Sequence, residues 1–339
     1  MPCWTRASTW ICSTGLQVEA HWPPAVRADL HALHARALVA RGDRLEAQRE
    51  IERAEEVAAG RLEIRLSRIA LAMSRNRTSE AVTLAREATG EYPESARAWR
   101  VLYQVAAAND DLELARTAVD RAIALAARPT EHHLFRARLR VTQGDLEGAR
   151  ADLEAVGGEL QGHPRVRFVE ALIAWVEADY ETACDQLQQA VSDAPQFVEA
   201  RFYLGVCQVR SGELNQAEAH LRWVNQRQPE PVVARLLGRV LLALDQPERA
   251  RDVVRPIVQR NPEDSEALAL MGRIEMELGN TSEAIEYLQR QVRLRPDDPT
   301  VKLQLGTGLM QSGQLKAGRV AIREALELDL NRGAQARCW

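Results

Sequence analysis

Lysine and aromatic residues are both scarce in this chain of 339 residues. Lys302 and Lys316 are its only lysines, and aromatic residues make up 5% of the chain, against 46% for all hydrophobic residues. A core with so few rings must be built from Ala, Leu and Val, which suits closely packed helices far better than a β-sandwich or a β-barrel. The composition therefore favours an all-α protein.

Several common sites and segments are also missing. The five cysteines are scattered, and their spacing gives neither a disulfide framework nor a CxxC metal site. No run of 18 apolar residues occurs, so we predict no membrane-spanning helix. A formal net charge of −4 supplies no global field that would attract nucleic acid or an anionic membrane.

The N-terminal stretch carries no export signal. Residues 1–27 lack the apolar core of a secretory signal, and no small-residue lipobox precedes Cys3 or Cys12. The sequence as written therefore predicts a cytoplasmic protein, whereas a lipoprotein signal on a longer N-terminus would predict a periplasmic or membrane-anchored one. We interpret residues 1–27 as an irregular leader, and its tryptophans leave open an aromatic cap on the first repeat.

The rest of the chain is organised by a repeat of about 34 residues. In the clearest copy, Gly272 lies on an apolar helical face, Gly279 breaks the helix, Ala284 opens a second apolar face and Pro296 ends it. The same register predicts nine helix-turn-helix repeats over residues 28–332, followed by a short tail at 333–339. The repeats start near residues 28, 62, 96, 130, 164, 198, 231, 265 and 299.

Two independent signals agree with this register. Small residues recur where the two helices of a repeat would cross at close range, as at Gly205 and Ala217. The turn between the helices carries residues that tolerate the left-handed conformation at a helix end. These are Gly42, Asn76, Asp110, Gly144, Gly212, Asp245, Gly279 and Gly313. Ala178 is the exception, and we expect the neighbouring Asp179 to take that role. Gly157-Gly158 in the fourth repeat predicts either a hinge or a loose turn.

The Leu204-Gly205 pair, Ala217 and Pro229 together resemble the tetratricopeptide repeat (TPR). The resemblance implies an all-α fold, a right-handed α-α superhelix, whose first helices line an inner groove that binds peptides or proteins. The stretch GRIEMELGNTSEAIEYLQRQVRLRPDDP is also similar to bacterial TPR lipoproteins of exopolysaccharide and PEP-CTERM (exosortase) systems. That second resemblance implies a role in exopolysaccharide assembly or protein sorting.

No catalytic motif is present. The sequence contains no P-loop, HExxH or GxSxG motif. His31 and His34 lie three residues apart on a helix, but no third ligand is near in sequence, so surface or core histidines are favoured over a metal pair. We therefore predict a protein that is not an enzyme and has no cofactor or metal.

The inner groove that the resemblance implies carries apolar residues flanked by arginines. We expect partner-binding residues at Arg138, Phe168, Leu172, Trp175, Phe202, Val209, Arg210, Arg235, Arg239 and Arg273. Such a strip suits a peptide with hydrophobic anchors and acidic flanks. A second interpretation stays open. Glu131 with Arg138 and Glu266 with Arg273 would form ion pairs along one helix, and some of the apolar residues would pack between adjacent first helices.

The leading hypothesis for function is a non-catalytic scaffold for protein-protein interaction that binds a peptide or a partner protein in the groove. The alternative is an accessory TPR part of a larger enzyme whose catalytic domain lies outside this chain. We expect no nucleic-acid partner, because the net charge is negative. No polar capping helix follows the ninth repeat, which predicts either a longer array or self-association through that end.

Overall fold

The computed structural model describes residues 21–157, 160 and 162–335. These residues form eighteen α-helices, and they contain no strand. The helices are α1 Pro24–Arg41, α2 Arg44–Ala58, α3 Leu62–Ser74, α4 Thr78–Glu91, α5 Ala96–Ala108, α6 Leu112–Leu125, α7 Thr130–Thr142, α8 Leu146–Val156, α9 Pro164–Val176, α10 Tyr180–Asp193, α11 Val198–Arg210, α12 Leu214–Arg227, α13 Pro231–Ala243, α14 Pro247–Arg260, α15 Ser265–Glu277, α16 Thr281–Leu294, α17 Pro299–Gln311 and α18 Leu315–Gln335. Within the described residues, no helix is both long and apolar enough to cross a membrane.

The chain divides into two compact units, residues 1–196 and residues 197–339. The N-terminal unit holds α1 to α10, and the C-terminal unit holds α11 to α18. In each unit the odd-numbered helix of a repeat packs against the even-numbered helix that follows it. Contacts between the first helices of successive repeats join α1 with α3, α3 with α5, α7 with α9, α13 with α15 and α15 with α17. This pairing confirms the predicted helix-turn-helix repeats.

The two helices of a repeat cross closely at the predicted small residues. A Cβ atom added to Gly272 would lie 2.8 Å from the Leu288 side chain, and one added to Gly205 would lie 2.9 Å from the Leu221 side chain. Ala217 and Ala284, on the second helices, are fully buried. Because van der Waals contact between carbon atoms begins near 3.5 Å, a larger side chain at these positions would push the helices apart. The small residues are therefore present for packing.

In the third repeat, the position that holds Gly205 and Gly272 in later repeats is occupied by Tyr103, whose large side chain is also buried. Its ring lies 4.2 Å, centroid to centroid, from that of Phe135 on α7, and its hydroxyl lies 3.0 Å from His132 Nδ1. Burial raises the pKa of Tyr103 and lowers the pKa of His132. The ring thus packs towards the next repeat.

All nine turn positions have positive φ, which confirms the turn register. Ala178 itself adopts this conformation with φ of 63°, so the expectation that Asp179 would replace it is wrong. Asp179 instead begins the second helix, where its carboxylate accepts a hydrogen bond from the backbone N–H of Thr182 at 3.2 Å. The repeat therefore imposes the left-handed turn conformation on Ala178, although an alanine normally avoids positive φ.

The ends of the repeat array differ slightly from the prediction. Helix α1 begins at Pro24, so residues 24–27 belong to the first helix, because proline suits the first helical position. Helix α18 runs to Gln335, three residues beyond the predicted end at 332.

Gly157 ends α8 with φ of 79°, while Gly158 lies outside the described residues. The first two leader tryptophans, Trp4 and Trp10, also lie outside them.

Candidate partner-binding surface

The N-terminal unit contains four of the predicted groove residues. Phe168 is only 2% exposed, and the Cζ atom of the exposed Arg138 lies 5.7 Å from its ring centroid. Leu172 is half-buried and packs against the core of repeats four and five. Trp175 is also half-buried, and its ring meets that of Tyr180 edge to face at 5.1 Å. Phe168 thus offers almost no surface to a partner, whereas Arg138, Leu172 and Trp175 are accessible.

Other apolar residues of the expected groove lie in the core. Leu66, Leu134 and Val141 are buried, as Phe168 is. These residues fit the second interpretation of the sequence, in which apolar residues of the first helices belong to the core and do not bind a partner. A sequence pattern cannot separate the two roles, because the same inward-facing positions serve both the groove and the contact between adjacent first helices.

The C-terminal unit contains the other six predicted groove residues. Phe202 and Val209 are half-buried and pack against the core of repeats six to eight, and Arg210 is exposed. The Arg235 side chain is partly buried and pairs with Asp264 at 2.5 Å and with Glu266 at 3.1 Å. The remaining two, Arg239 and Arg273, are both exposed on neighbouring first helices. The structure therefore places Arg235 and Arg239 on α13 and Arg273 on α15, two helices that contact each other.

The ion pairs on this surface link adjacent first helices. Glu266 lies 3.1 Å from Arg235 and 3.7 Å from Arg239, both on α13, whereas Arg273 has no carboxylate within 4.0 Å among the described residues. Residues seven apart on a helix are separated by about 10 Å along the axis, which is too far for direct pairing. The predicted pair of Glu266 with Arg273 is therefore wrong.

The predicted pair of Glu131 with Arg138 is wrong for the same reason. Glu131 on α7 lies 3.9 Å from Arg100 on α5 and 3.4 Å from Arg165 on α9. The carboxylate thus connects three consecutive first helices of the N-terminal unit. Sequence reasoning missed this arrangement because it considered only one helix at a time.

Exposed apolar side chains border the arginines of the C-terminal unit. Val232 on α13 is 53% exposed, and Leu303 on α17 is 46% exposed. Helix α15 contacts both α13 and α17. We call this surface the C-terminal strip and define it by Val232, Arg235, Arg239, Glu266, Arg273 and Leu303. The C-terminal strip combines aliphatic surface with three guanidinium groups and one carboxylate.

A second charged surface lies on the first helices of the N-terminal unit. Glu63 on α3 accepts a hydrogen bond from Arg36 at 2.6 Å and pairs with Arg97 on α5 at 2.5 Å. Burial lowers the pKa of Arg36 despite the attraction of Glu63, and the charges of Arg97 and Arg100 lower it further. Three guanidinium groups thus share the neighbourhood of one carboxylate. The central role of Glu63 could not be predicted from one helix, because its partners lie on the first helices of the two neighbouring repeats.

Two buried histidine-carboxylate pairs recur at the same place in repeats one and four. His31 Nδ1 lies 2.7 Å from Glu50, and His133 Nδ1 lies 2.8 Å from Asp152. Burial opposes the ionisation of Glu50, but hydrogen bonds from His31 and His34 hold its pKa below the usual range. Within the described residues, no group of three or more His, Cys, Asp or Glu residues could hold a metal ion. The pairs connect the two helices of a repeat.

Comparison with known families places most of the chain in one group. A model described as tetratricopeptide repeat matches residues 32–96, 66–132 and 235–299. A second model with the same description matches residues 177–237. Together these matches cover well over half of the chain.

Individual proteins show more distant similarity. Cellulose synthase 2 operon protein C from Komagataeibacter xylinus is 28% identical over 196 residues, which are 58% of this chain but 12% of that protein. The human IFIT1 dimer with PPP-AAAA has a TM-score of 0.54 at 13% identity, covering 89% of this chain and 90% of that one. The MamA RS-1 ArsTM double mutant has a TM-score of 0.48 at 19% identity, covering 50% of this chain and 97% of that one. The likeness to IFIT1 shows a shared fold alone.

Proposed function

Because the chain belongs to the tetratricopeptide repeat family, we propose that it is a non-catalytic scaffold that binds a segment of a partner protein on its first helices. The C-terminal strip is the best-supported part of this surface, since all its members except the partly buried Arg235 are exposed on neighbouring first helices. In the N-terminal unit the proposal includes Arg138, Leu172 and Trp175. Phe168 is left out because it is buried.

The observation that carries the proposal is the unequal pairing of the arginines. Glu266 is engaged by Arg235 and Arg239, while Arg273 has no carboxylate within 4.0 Å among the described residues. An exposed guanidinium beside aliphatic surface suits a segment that carries acidic residues and an aliphatic anchor. In such a complex the partner's carboxylate would pair with Arg273, and its anchor would cover Val232 or Leu303.

A charge-reversal experiment tests the proposal. Arg239→Glu with Arg273→Glu changes the C-terminal strip, and Arg255→Glu with Arg260→Glu makes the same charge change on the exposed part of α14. Partners would be captured from a lysate of the source organism and identified by mass spectrometry. We expect the strip variant to lose a partner that the α14 variant and the unchanged protein both retain. Equal capture by all three proteins would contradict the proposal.

We further propose that the partner belongs to an exopolysaccharide assembly system. The support is the sequence similarity to cellulose synthase 2 operon protein C of Komagataeibacter xylinus, at 28% identity over 196 residues. The chain spans only 12% of that relative, so its repeats correspond to a small part of the longer protein. Deleting the gene should reduce exopolysaccharide output, and the unchanged gene should restore it while the strip variant should not. Unchanged output after deletion would contradict this assignment.

A further inference from the structure

We number the positions of each repeat from the repeat starts given above. The beginning of the first helix meets the end of the second helix at positions 4, 26 and 30. We call this place the position-4 slot. In three repeats the slot holds a cation and a carboxylate. The pairs are Arg65–Glu91 at 2.7 Å, Arg167–Asp193 at 3.8 Å and Lys302–Glu324 at 2.8 Å. The slot therefore has room for a carboxylate beside the cation at position 4.

The sixth repeat fills the same slot differently. Position 4 is Arg201, position 26 is Trp223 and position 30 is Arg227. The Cζ atom of Arg201 lies 4.3 Å from the centroid of the Trp223 ring, and that of Arg227 lies 3.6 Å from it. Neither position 26 nor position 30 supplies an acid here, so a second cation stands where repeats two and five have a carboxylate.

The surroundings of Trp223 carry a concentrated positive charge. Arg227 is exposed and has no carboxylate within 4.0 Å among the described residues. Burial lowers the pKa of Arg201, and repulsion from Arg227 lowers it further. Burial lowers the pKa of the nearby His220, and repulsion from Arg201 lowers it further. In the described part of the chain, His220 Nδ1 is buried without a hydrogen-bond partner.

We propose that the position-4 slot of repeat six binds an acidic side chain of a partner protein. The partner's carboxylate would take the place that Glu91 and Asp193 occupy in their own repeats, with Arg201 and Arg227 as its donors. Guanidinium groups form charge-assisted hydrogen bonds with carboxylates, and the Trp223 ring holds both groups in place by cation–π contact. The slot contains no member of the C-terminal strip, so the inference stands independently of the function proposed above.

Arg227→Glu separates this binding role from a purely structural one. The variant restores at position 30 the carboxylate that repeats two and five carry, and the new glutamate would pair with Arg201. We expect binding of a fluorescein-labelled hexaglutamate peptide, measured by fluorescence anisotropy at low salt, to weaken at least about tenfold. The melting temperature should rise by about 1–3 °C because an ion pair replaces a repulsion. A structural role for the cation–π contact would lower it instead.

Arg260→Glu is the matched control. Arg260 occupies position 30 of repeat seven and is exposed, but position 4 of that repeat is Ala234, so the cation that accompanies Arg227 in repeat six has no counterpart there. The same charge change there should leave peptide affinity within about twofold, since a distant exposed charge is largely screened. A hexaserine peptide tests whether charge on the ligand is required, and it should not bind.

Three further measurements test whether the peptide binds in the position-4 slot of repeat six. Equal affinity of Arg227→Glu and Arg260→Glu for hexaglutamate would overturn it, as would displacement of the peptide by inorganic phosphate at a lower concentration than by glutamate. If Arg227→Glu does not fold, Arg227→Gln removes the charge alone and should weaken binding about threefold or more. Loss of the Arg227 effect in the strip variant Arg239→Glu with Arg273→Glu would show that the peptide bound to the C-terminal strip, and the slot proposal would fail.

Discussion

His133 Nδ1 lies 2.8 Å from the carboxylate of Asp152, a residue that is only 1% exposed. Arg136 and Arg140 also donate to Asp152, at 2.6 and 2.8 Å. Arg136 in addition donates to Asp120 of the preceding repeat at 2.6 Å. A single buried carboxylate thus joins both helices of repeat four and, through Arg136, fixes this repeat to repeat three.

Asp152→Ala should destabilise the protein strongly. The substitution leaves Arg136, Arg140 and His133 without their shared acceptor in a buried place, and such a loss costs about 3–5 kcal/mol. The free energy of unfolding from denaturant titration measures it. Asp145→Ala provides the comparison, because Asp145 is exposed, caps the same helix and makes only a 3.5 Å pair with Arg140, so its loss should cost about 1 kcal/mol. Similar losses in the two variants would contradict the central role of Asp152.

The same carboxylate predicts a dependence of stability on acid. Burial opposes the ionisation of Asp152, but hydrogen bonds from Arg136 and His133 hold its pKa below the usual range. Because the folded-state pKa is the lower one, the stabilisation is complete above the unfolded pKa of about 4 and is lost as the pH falls through the folded value. The free energy of unfolding between pH 5 and pH 2 should therefore fall less steeply in Asp152→Asn. Parallel curves for the two proteins would exclude this cause.

Ala178→Gly should stabilise the protein. Ala178 has φ of 63°, a conformation that costs an L-residue about 1–2 kcal/mol, and glycine avoids most of that cost. We expect a gain of about 1 kcal/mol in the free energy of unfolding. Gly212→Ala makes the reverse change at the same turn of the next repeat, where φ is 79°, and should lose a similar amount. A loss of stability in Ala178→Gly would show that the alanine side chain makes a favourable contact.

Glu275→Met should also raise stability. Glu275 is 0% exposed, and Asn280 donates to one of its carboxylate oxygens at 2.8 Å. The other oxygen has no hydrogen-bond partner among the described residues, and no cation there lies within 4.0 Å. Replacing this incompletely hydrogen-bonded buried carboxyl group with an apolar side chain of similar volume gains about 1–3 kcal/mol. Thermal unfolding measures the gain.

Glu275→Gln is the control for that prediction. It removes the charge but keeps a polar group in the same buried place, so its gain should be smaller than that of Glu275→Met. If both variants are less stable than the unchanged protein, Glu275 has a favourable interaction with bound water or with a partner. That outcome would contradict the view that the charge is a cost to folding.

The repeat register could be predicted from the sequence because each repeat supplies local signals. Turn residues with positive φ, such as Gly42 and Asp245, and the close crossing at Gly272 depend only on contacts within one repeat. The sequence patterns describe one helix or one repeat at a time, and this limit explains the two wrong ion pairs. The partners of Glu131 and Glu266 lie on neighbouring first helices, and their distances depend on how those helices pack. One helix considered alone therefore suggested the wrong arginines.

The candidate site was only partly predictable for a related reason. Inward-facing positions predicted Arg235, Arg239 and Arg273 as groove residues, and the structure places them on two first helices that contact each other. The same positions could not reveal that Phe168 is buried, since its exposure depends on the size of the side chains around it. Repeat six illustrates what internal comparison adds, because the combination of Arg201 with Arg227 in place of an acid is visible only beside Glu91 and Asp193.

The location of each ion pair also determines which repeats could be exchanged as modules. His31 and Glu50 belong to one repeat, so a graft that moves repeat one carries both members of the pair. Glu63 instead has its partners in the repeats before and after its own. A graft of repeat two alone would bring a partly buried acid to new neighbours that lack the matching arginines. A graft of repeat one therefore keeps its histidine-carboxylate pair but separates Arg36 from Glu63, whereas repeat two can be transplanted only together with repeats one and three.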